Sequence, residues 1–325
     1  MSLRRSLALV LVSASLVSSA WASPHVLKPG ESYTELTAGL TSADAYRSDL
    51  DKSTTLGAAF EQRTLRWHSE LGWKKRASVW FDLPGVSRTF SPDAGGSATS
   101  TGFGDLGLGV RVALMRRTLP TSLSLGWTAP MGGNRRLFPG TTGGSGLDGT
   151  RYGSVPTAMV QMNTFFDAGL QSLSANLAVG GTLGKGAFFT LGTGWTTRYL
   201  TIGARGDDDR FADFVTTDAS LGMWFGRNLL VTGHWHGESQ SAQGRPYDRL
   251  APTPVPAGET ELQTRFATVG PRLTWRVDDK MDVFTGATYT VSGRNTLEAN
   301  TYYAGMAWKQ TGLGRLAGAF GGTKN

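Results

Sequence analysis

The chain has 325 residues, no cysteine and a formal net charge of +7. The absence of cysteine excludes a disulfide scaffold, a thiolate metal site and a cysteine nucleophile. No run of about 18 to 20 apolar residues is present, so the sequence excludes a helical membrane protein. Glycine, at 44 residues, is about twice as frequent as usual, but it follows no collagen period.

The first 22 residues have the pattern of an export signal. Arg4 and Arg5 give a positively charged start, Leu7–Val17 is a short apolar segment, and Ala20-Trp21-Ala22 fits the small-residue rule for cleavage. We expect residues 1–22 to be a signal peptide, whose removal leaves a net charge of +7 − 2 = +5. A membrane anchor is the alternative, but the apolar segment is too short for one.

Alternation of apolar with small or polar residues continues along nearly the whole mature chain and predicts β-strands. In the segment 104–114, Leu108 and Val110 fall on one face, and Asp105 and Gly109 fall on the other. The clear strands are predicted at about 32–42, 54–71, 76–90, 102–115, 120–131, 155–167, 171–182, 213–225, 229–241, 260–276, 281–293 and 299–309.

The stretch 187–205 decides the strand count. Because it is too long and too apolar for a bare loop, we interpret it as a hairpin of two further strands. That gives fourteen strands and keeps their number even, with twelve as the alternative. In the predicted strands 54–71 and 260–276, the apolar residues move from one face to the other along the strand. We expect a β-bulge in each, near Gln62–Thr64 and at Pro271.

Two closed-sheet architectures fit this alternation. A soluble sandwich or barrel buries the apolar face, whereas a membrane barrel turns that face towards lipid. The polar face is rich in Gly, Ser, Thr and Ala, the apolar segments have the length of tilted membrane strands, and aromatic residues lie near many segment ends. We therefore predict an all-β fold, a transmembrane antiparallel up-and-down β-barrel over residues 23–309, located in the cell outer membrane. Residues 310–325 would form a short periplasmic tail, unless a strand is misplaced.

The predicted connections are alternately short and long, which is typical of outer-membrane barrels. We place the short connections on the periplasmic side and the long ones outside the cell. The long segments 132–154 and 242–259 are expected to fold over the outer mouth.

Three segments carry a family resemblance: Gly102-Phe-Gly-Asp-Leu-Gly-Leu-Gly-Val-Arg111, the turn Gly72–Ala77 with a strand that ends at Leu83-Pro84, and the closing strand Thr301–Trp308. On these segments the chain resembles a family of outer-membrane transporters named for the meta-cleavage (MetA) pathway of phenol degradation. The resemblance implies a barrel that passes small, often aromatic or apolar, molecules. Related fatty-acid channels carry an amino-terminal plug, but Ser23–Glu31 are too few residues to fill a lumen.

Charged residues on the polar face are the candidates for lumen selectivity. Because both signs are present, we expect paired ladders across the lumen, with a constriction of opposed acidic and basic rows as the alternative. The positive net charge favours anionic solutes slightly. The candidates are Asp105, Arg111, Glu61, Arg63, Asp218, Arg265 and Arg272.

The residues His234, His236 and Glu238 share one strand face and could supply three ligands to zinc or copper. We expect plain lumen polarity there instead, and predict no metal and no cofactor. Catalysis is not expected either, because the adjacent His68 and Ser69 face opposite ways and no serine–histidine pair is evident.

The sequence therefore predicts a channel for passive uptake or efflux of small solutes, and not an enzyme. Its partners would be outer-membrane lipids and the small-molecule solute, and not nucleic acid; the sequence indicates no oligomeric state. The alternative is a structural or partner-binding barrel with a closed lumen.

The predicted facing can be tested by substitution in one strand. Leu108→Arg and Val110→Arg should each cost roughly 2–4 kcal/mol near the middle of the bilayer. Gly109→Ser, on the opposite face, is expected to be mild. Urea unfolding in lipid vesicles measures all three costs, and equal damage from the three substitutions would contradict the facing.

Overall fold

The computed structural model describes residues 24–47, 52–93, 95–116, 119–129, 131, 170–184, 186–200, 210–240, 265–294 and 296–311. No helix in these ranges is long and apolar enough to cross a membrane. The strands in these ranges are β1 (Glu31–Arg47), β2 (Ser53–Lys74), β3 (Ala77–Pro92), β4 (Ala98–Phe103), β5 (Leu106–Met115), β6 (Thr121–Ala129), β7 (Leu170–Leu183), β8 (Ala187–Leu200), β9 (Arg210–Phe225), β10 (Leu229–Gln240), β11 (Arg265–Arg276), β12 (Met281–Arg294) and β13 (Thr296–Thr311).

Twelve of the described strands form one closed antiparallel ring. The ring follows chain order from β1 through β3 and from β5 to β13, and β13 pairs back onto β1 over its whole length. Closure satisfies the backbone hydrogen bonds within the sheet and removes its edges. The predicted all-β antiparallel barrel is thereby confirmed.

The short strand β4 and the strand β5 pair with different halves of the same neighbour, β3. Phe103 pairs with Gly85 in the second half of β3, while Gly107 pairs with Asp82 in its first half. The predicted strand 102–115 is therefore divided at Gly104, whose N–H donates to the Pro84 carbonyl at 2.7 Å. Among the described strands, β4 pairs with β3 alone.

Fourteen strands are not confirmed, since the ring has the alternative number, twelve. Ala187–Leu200 is a single strand that pairs with β7 and β9 along its length, and not the predicted hairpin. The stretch is long because this one strand has 14 residues. A tilted strand needs only ~9–11 residues to cross the hydrocarbon, so β8 extends beyond it. The predicted strand 155–167, the cleavage site and residues 312–325 lie outside the described residues. β6 pairs directly with β7.

The distribution of side chains is inverted relative to a soluble protein. Leu125 and Leu221 are 52% and 59% exposed on the outside, whereas Ser124 and Gln62 are buried on the inside. This is the arrangement of a barrel whose outer surface meets lipid and whose interior is polar.

The expected bulge near Gln62–Thr64 is wrong. Even-numbered residues of β2 face inwards along the strand, from Leu56 and Phe60 at one end to Glu70 at the other. The irregularity lies nearer the start of β2, where the pairing with β1 jumps from Phe60 to Thr55. The inward residues Leu56 and Phe60 are themselves apolar. The apolar pattern of the sequence therefore moves from even to odd positions although the strand keeps its facing.

The bulge expected at Pro271 is also wrong. Phe266, Thr268 and Thr274 are all buried on the same inner face, so the facing of β11 does not change. The register shift lies between Ala267 and Thr268. Proline has no N–H to donate, and Pro271 has no residue paired with it on β12.

Inward aromatic side chains lie against glycines of neighbouring strands. The indole of Trp80 covers Gly109 and Gly126, and its N–H donates to Ser124 Oγ at 3.1 Å. A Cβ atom at Gly109 would collide with both the indole and the Leu125 carbonyl oxygen. Three further pairs are of the same kind: Phe188 on Gly222, Phe284 on Gly305 and Tyr303 on Gly286. These glycines accommodate aromatic rings, so the expectation that Gly109→Ser is mild is wrong.

We predict that Gly109→Ala destabilises the barrel by about 1–3 kcal/mol, because the methyl group overpacks the Trp80 contact. Gly233→Ala is the control, since no atom lies within 4 Å of a Cβ built at Gly233. That substitution should leave stability unchanged or slightly raised. Urea unfolding in vesicles compares the two variants, and equal stabilities would contradict the packing described here.

Candidate functional site

A cavity of about 690 Å³ lies inside the barrel, towards the end that carries both described chain ends. Its lining is divided between two walls. β1, β2, β5 and β11 to β13 contribute charged side chains, whereas β8 to β10 contribute mainly aromatic, aliphatic and hydroxyl side chains. The ionisable residues of the lining are Glu35, Glu70, Asp218, Asp282, Arg111, Arg272, Lys309, His25, His68 and His234.

One ion pair crosses the interior instead of joining neighbouring strands. Arg272 of β11 places Nη2 3.3 Å from Glu35 Oε2 of β1, and β12 and β13 lie between these two strands. The Tyr33 hydroxyl donates to the same carboxylate at 2.5 Å. The Arg272 guanidinium also lies 3.7 Å from the centre of the Phe284 ring. We call Arg272, Glu35 and Tyr33 the crossbar, because together they bridge the inner wall across the two strands between β11 and β1.

A second buried pair joins β2 to β5. Arg111 Nη1 donates to Glu70 Oε2 at 2.5 Å, and the Ser78 hydroxyl of the intervening β3 donates to the other carboxylate oxygen. The side chains of Arg111 and Glu70 are almost fully buried, with exposed fractions of 3% and 6%. Burial of an ion is tolerable only when such partners compensate it.

The third group lies beside the second on β2 and β3. Arg66 Nε donates to Asp82 Oδ1 at 2.5 Å, and His68 Nδ1 lies 3.8 Å from the same oxygen. Charges of opposite sign are therefore paired along this wall.

The histidine cluster of β10 does not form a metal site. His236 Nδ1 lies 2.7 Å from Asp218 Oδ1 on the neighbouring strand β9. In the part of the chain that the structure describes, no three His, Cys, Asp or Glu side chains are grouped as metal ligands. His234, which lines the cavity, and the buried Glu238 share a strand face with His236, as their spacing predicts.

The predicted selectivity residues divide into two groups. Arg111, Asp218 and Arg272 line the cavity. The other candidates lie elsewhere: Glu61, Arg63, Arg265 and Asp105.

Placing Glu61 and Arg63 in the lumen is wrong. They follow the odd-numbered, outward face of β2, together with Leu65, and their side chains pair with each other at 2.8 Å. The expected bulge would have turned them inwards, and it is absent. Arg265 is exposed on the outward face of β11, for the same reason, and Asp105 is exposed in the break between β4 and β5.

Sequence reasoning missed Glu35 and Trp80 as interior residues. Glu35 shares its strand face with the polar residues Tyr33 and Thr37, and this period of two could have placed it on the inner face. Trp80 lies between Ser78 and Asp82 on the polar face of β3, so the same period of two could have placed it inside.

The residues before β1 lie across the mouth of the cavity. Gly30 N–H donates to the Gly72 carbonyl at 3.1 Å, while the Pro24 ring contacts Gly180 of β7. Pro24, His25 and Leu27 all line the cavity. Burial lowers the pKa of the His25 imidazole. This arm does not fill the lumen, but it narrows the opening at this end.

Towards the opposite mouth, four phenylalanines join buried polar residues such as Gln62 and Glu238 on the inner face. Phe60 and Phe90 are cross-strand neighbours on β2 and β3, and Phe214 and Phe266 lie on β9 and β11. All four are between 2% and 8% exposed. We call these four phenylalanines the apolar layer. Leu56, Ala58, Leu297 and Ala299 are also buried at this end. An apolar constriction of this kind can close a pore by excluding water.

No family model matches the chain, and no curated protein matches it. Among solved structures, an outer-membrane channel from Pseudomonas putida F1 is similar, with a TM-score of 0.62 and 11% identity over 89% of this chain and 98% of that one. The NanC porin has a TM-score of 0.44 and 10% identity over 85% and 100%. The translocator domain of the autotransporter NalP from Neisseria meningitidis has a TM-score of 0.45 and 10% identity over 87% and 89%.

The likeness to the Pseudomonas putida channel shows the fold. This chain is a closed β-barrel of the outer-membrane type, in agreement with its apolar outer surface and polar interior.

We predict that Arg272→Ala costs about 3–5 kcal/mol, because it leaves the Glu35 carboxylate buried without its main counter-charge. The double variant Glu35→Ala/Arg272→Ala should cost less than the sum of the two single variants. Arg63→Ala, which breaks an exposed pair, should cost at most about 1 kcal/mol. Urea unfolding in vesicles gives these values. Strict additivity of Glu35→Ala and Arg272→Ala would mean that the crossbar does not form.

Proposed function

We propose that the protein is a channel of the cell outer membrane that passes small solutes passively through its lumen. The observation that carries this proposal is the cavity of about 690 Å³ in the barrel interior. A channel needs a wet passage lined by polar groups and a constriction that selects. The cavity supplies the first, and the crossbar and the apolar layer supply the second.

The lining favours a channel of low charge selectivity. It contains four carboxylates and three cations, and most of these groups are paired with partners of opposite sign, Asp282 with Lys309 at 3.9 Å among them. The field inside the cavity is therefore nearly compensated. This revises the expectation of a slight preference for anions, which rested on the net charge of the whole chain.

The apolar layer points to the class of solute. In this proposal, a molecule that enters from the outer mouth passes Phe60, Phe90, Phe214 and Phe266 before it reaches the polar cavity. Transfer of a strongly hydrated ion past such a layer is costly, whereas an apolar or aromatic molecule gains contact with the rings. Small aromatic or apolar compounds are therefore the proposed solutes, in line with the family resemblance of the sequence.

A closed, partner-binding barrel is the second candidate. It is favoured by one observation, the burial of the four phenylalanines of the apolar layer near the outer mouth. The channel requires the apolar layer to let solutes pass, whereas the closed barrel requires it to stay shut.

Single-channel recording in planar bilayers tests the proposed function. We expect discrete conductance steps, a reversal potential close to zero in a salt gradient, and larger steps for Phe90→Ala, which removes one ring from the apolar layer. Leu125→Ala, on the lipid face, is the control and should match the wild type. Silence of the wild type and of Phe90→Ala would contradict the channel and favour the closed barrel.

A further inference from the structure

Two arginines lie directly opposite each other on the outer surface of the barrel. Arg265, the first residue of β11, pairs with Arg294, the last residue of β12. Both side chains are exposed. Arg265 lies on the same strand face as the exposed Leu273 and Trp275, so it points away from the lumen. The register shift beside Val291 brings Arg294 onto that face as well.

This pairing is unfavourable within the chain itself. The Cβ atoms of directly opposed residues are about 4.5–5.5 Å apart, and like charges at that distance repel. Neither guanidinium has a hydrogen bond or an ion pair with any side chain in the described ranges. Arginines elsewhere at this end of the barrel are compensated, since Arg63 pairs with Glu61 at 2.8 Å and Arg47 with Glu298 at 3.1 Å. Two adjacent guanidiniums without a counter-charge in the described ranges favour an anion from outside.

The level of the pair indicates where that anion resides. Trp275 marks the other end of the outward face of β11, and 275 − 265 = 10 positions separate it from Arg265. With a rise of about 3.4 Å per residue and a tilt of about 40°, this distance is roughly 25 Å along the membrane normal. The apolar band of outer-membrane barrels has about the same height. The pair thus lies at the boundary between hydrocarbon and headgroups of the outer leaflet.

The neighbouring side chains suit such a boundary. Tyr289 and Tyr302 form an edge-to-face pair on the outer surface, with ring centres 6.2 Å apart, on the lipid side of the arginines. Aromatic residues of this kind are typical of membrane interfaces. Ser239 of β10 lies opposite Arg265 and adds a hydroxyl beside the guanidinium.

We infer that Arg265 and Arg294 bind a phosphate group of a phosphorylated lipid in the outer leaflet. Guanidinium groups present planar forks of donors that match phosphate oxygens, and charge-assisted bonds of this kind are among the strongest hydrogen bonds in proteins. The anion also removes the repulsion between the two side chains. This inference rests on the proposed place of the protein in the outer membrane, but not on conduction through the lumen.

Lipid binding by the full mature chain, folded in neutral detergent, tests the site. The probes are lipid A, lipid A from which the phosphates have been removed, and inorganic phosphate. We expect lipid A to raise the thermal unfolding midpoint of the wild type. Arg265→Gln and Arg294→Gln should each weaken lipid A binding at least about tenfold. The matched control is Arg63→Gln, which is outward-facing and exposed but paired within the chain, and it should bind lipid A like the wild type.

The sign of the stability change gives a second readout. Without lipid, Arg265→Gln should be at least as stable as the wild type, because it removes the repulsion. With lipid A, the order should reverse. Equal binding of dephosphorylated lipid A, or equal loss in Arg63→Gln, would overturn the site, and tight binding of inorganic phosphate alone would assign it to a free anion instead of a lipid. Because conductance is measured separately, a conducting protein that ignores lipid A contradicts this inference alone, whereas a silent protein that binds lipid A contradicts the channel alone.

Discussion

The structure depends on closure of the ring of twelve strands, which leaves no strand of the ring with an unpaired edge. Hydrocarbon offers no hydrogen-bonding partner to N–H or C=O groups, so a sheet can lie in it only when the last strand pairs with the first. Here the first and last strands pair from Glu31 with Thr311 to Arg47 with Thr296. Once the ring is closed, every side chain must face either lipid or lumen, and the alternation of apolar and polar residues follows.

Closure also determines the chemistry of the interior. Carboxylates and guanidiniums that point inwards lose much of their contact with water, so they persist only as compensated groups, such as the crossbar and the pair of Arg111 with Glu70. Bulky rings find space only where a neighbouring strand has glycine, as Trp80 does at Gly109. The consequence is a lumen that is nearly neutral and narrowed by its own side chains, with an apolar layer at one end. Under the proposed function, such an interior would discriminate between solutes by size and polarity more than by charge.

The sequence predicted what depends on nearest neighbours in the chain. Strict alternation located strands such as Thr121–Ala129 and assigned their lipid faces correctly, because the side chains of adjacent residues point to opposite faces of the sheet. It fails where apolar residues face the interior: alternation assigns the inward Phe60, beside Phe90, to the lipid face, and so predicts Glu61 and Arg63 in the lumen. It could not anticipate the crossbar, whose two charges are 237 positions apart in the chain. Contacts of that range are created by closure and leave no local pattern.

The most direct test is to measure which solvent, hydrocarbon or water, each face of one strand contacts. The chain has no cysteine, so single cysteines at Thr190, which lines the cavity, and at Leu191, which is exposed on the outer face, can carry spin labels without interference. In lipid vesicles, the account predicts that the label at residue 191 collides mainly with oxygen, which dissolves in hydrocarbon. The label at residue 190 should collide mainly with a water-soluble nickel complex. The opposite pattern, or the same environment at both residues, would contradict a barrel whose aliphatic side chains face lipid.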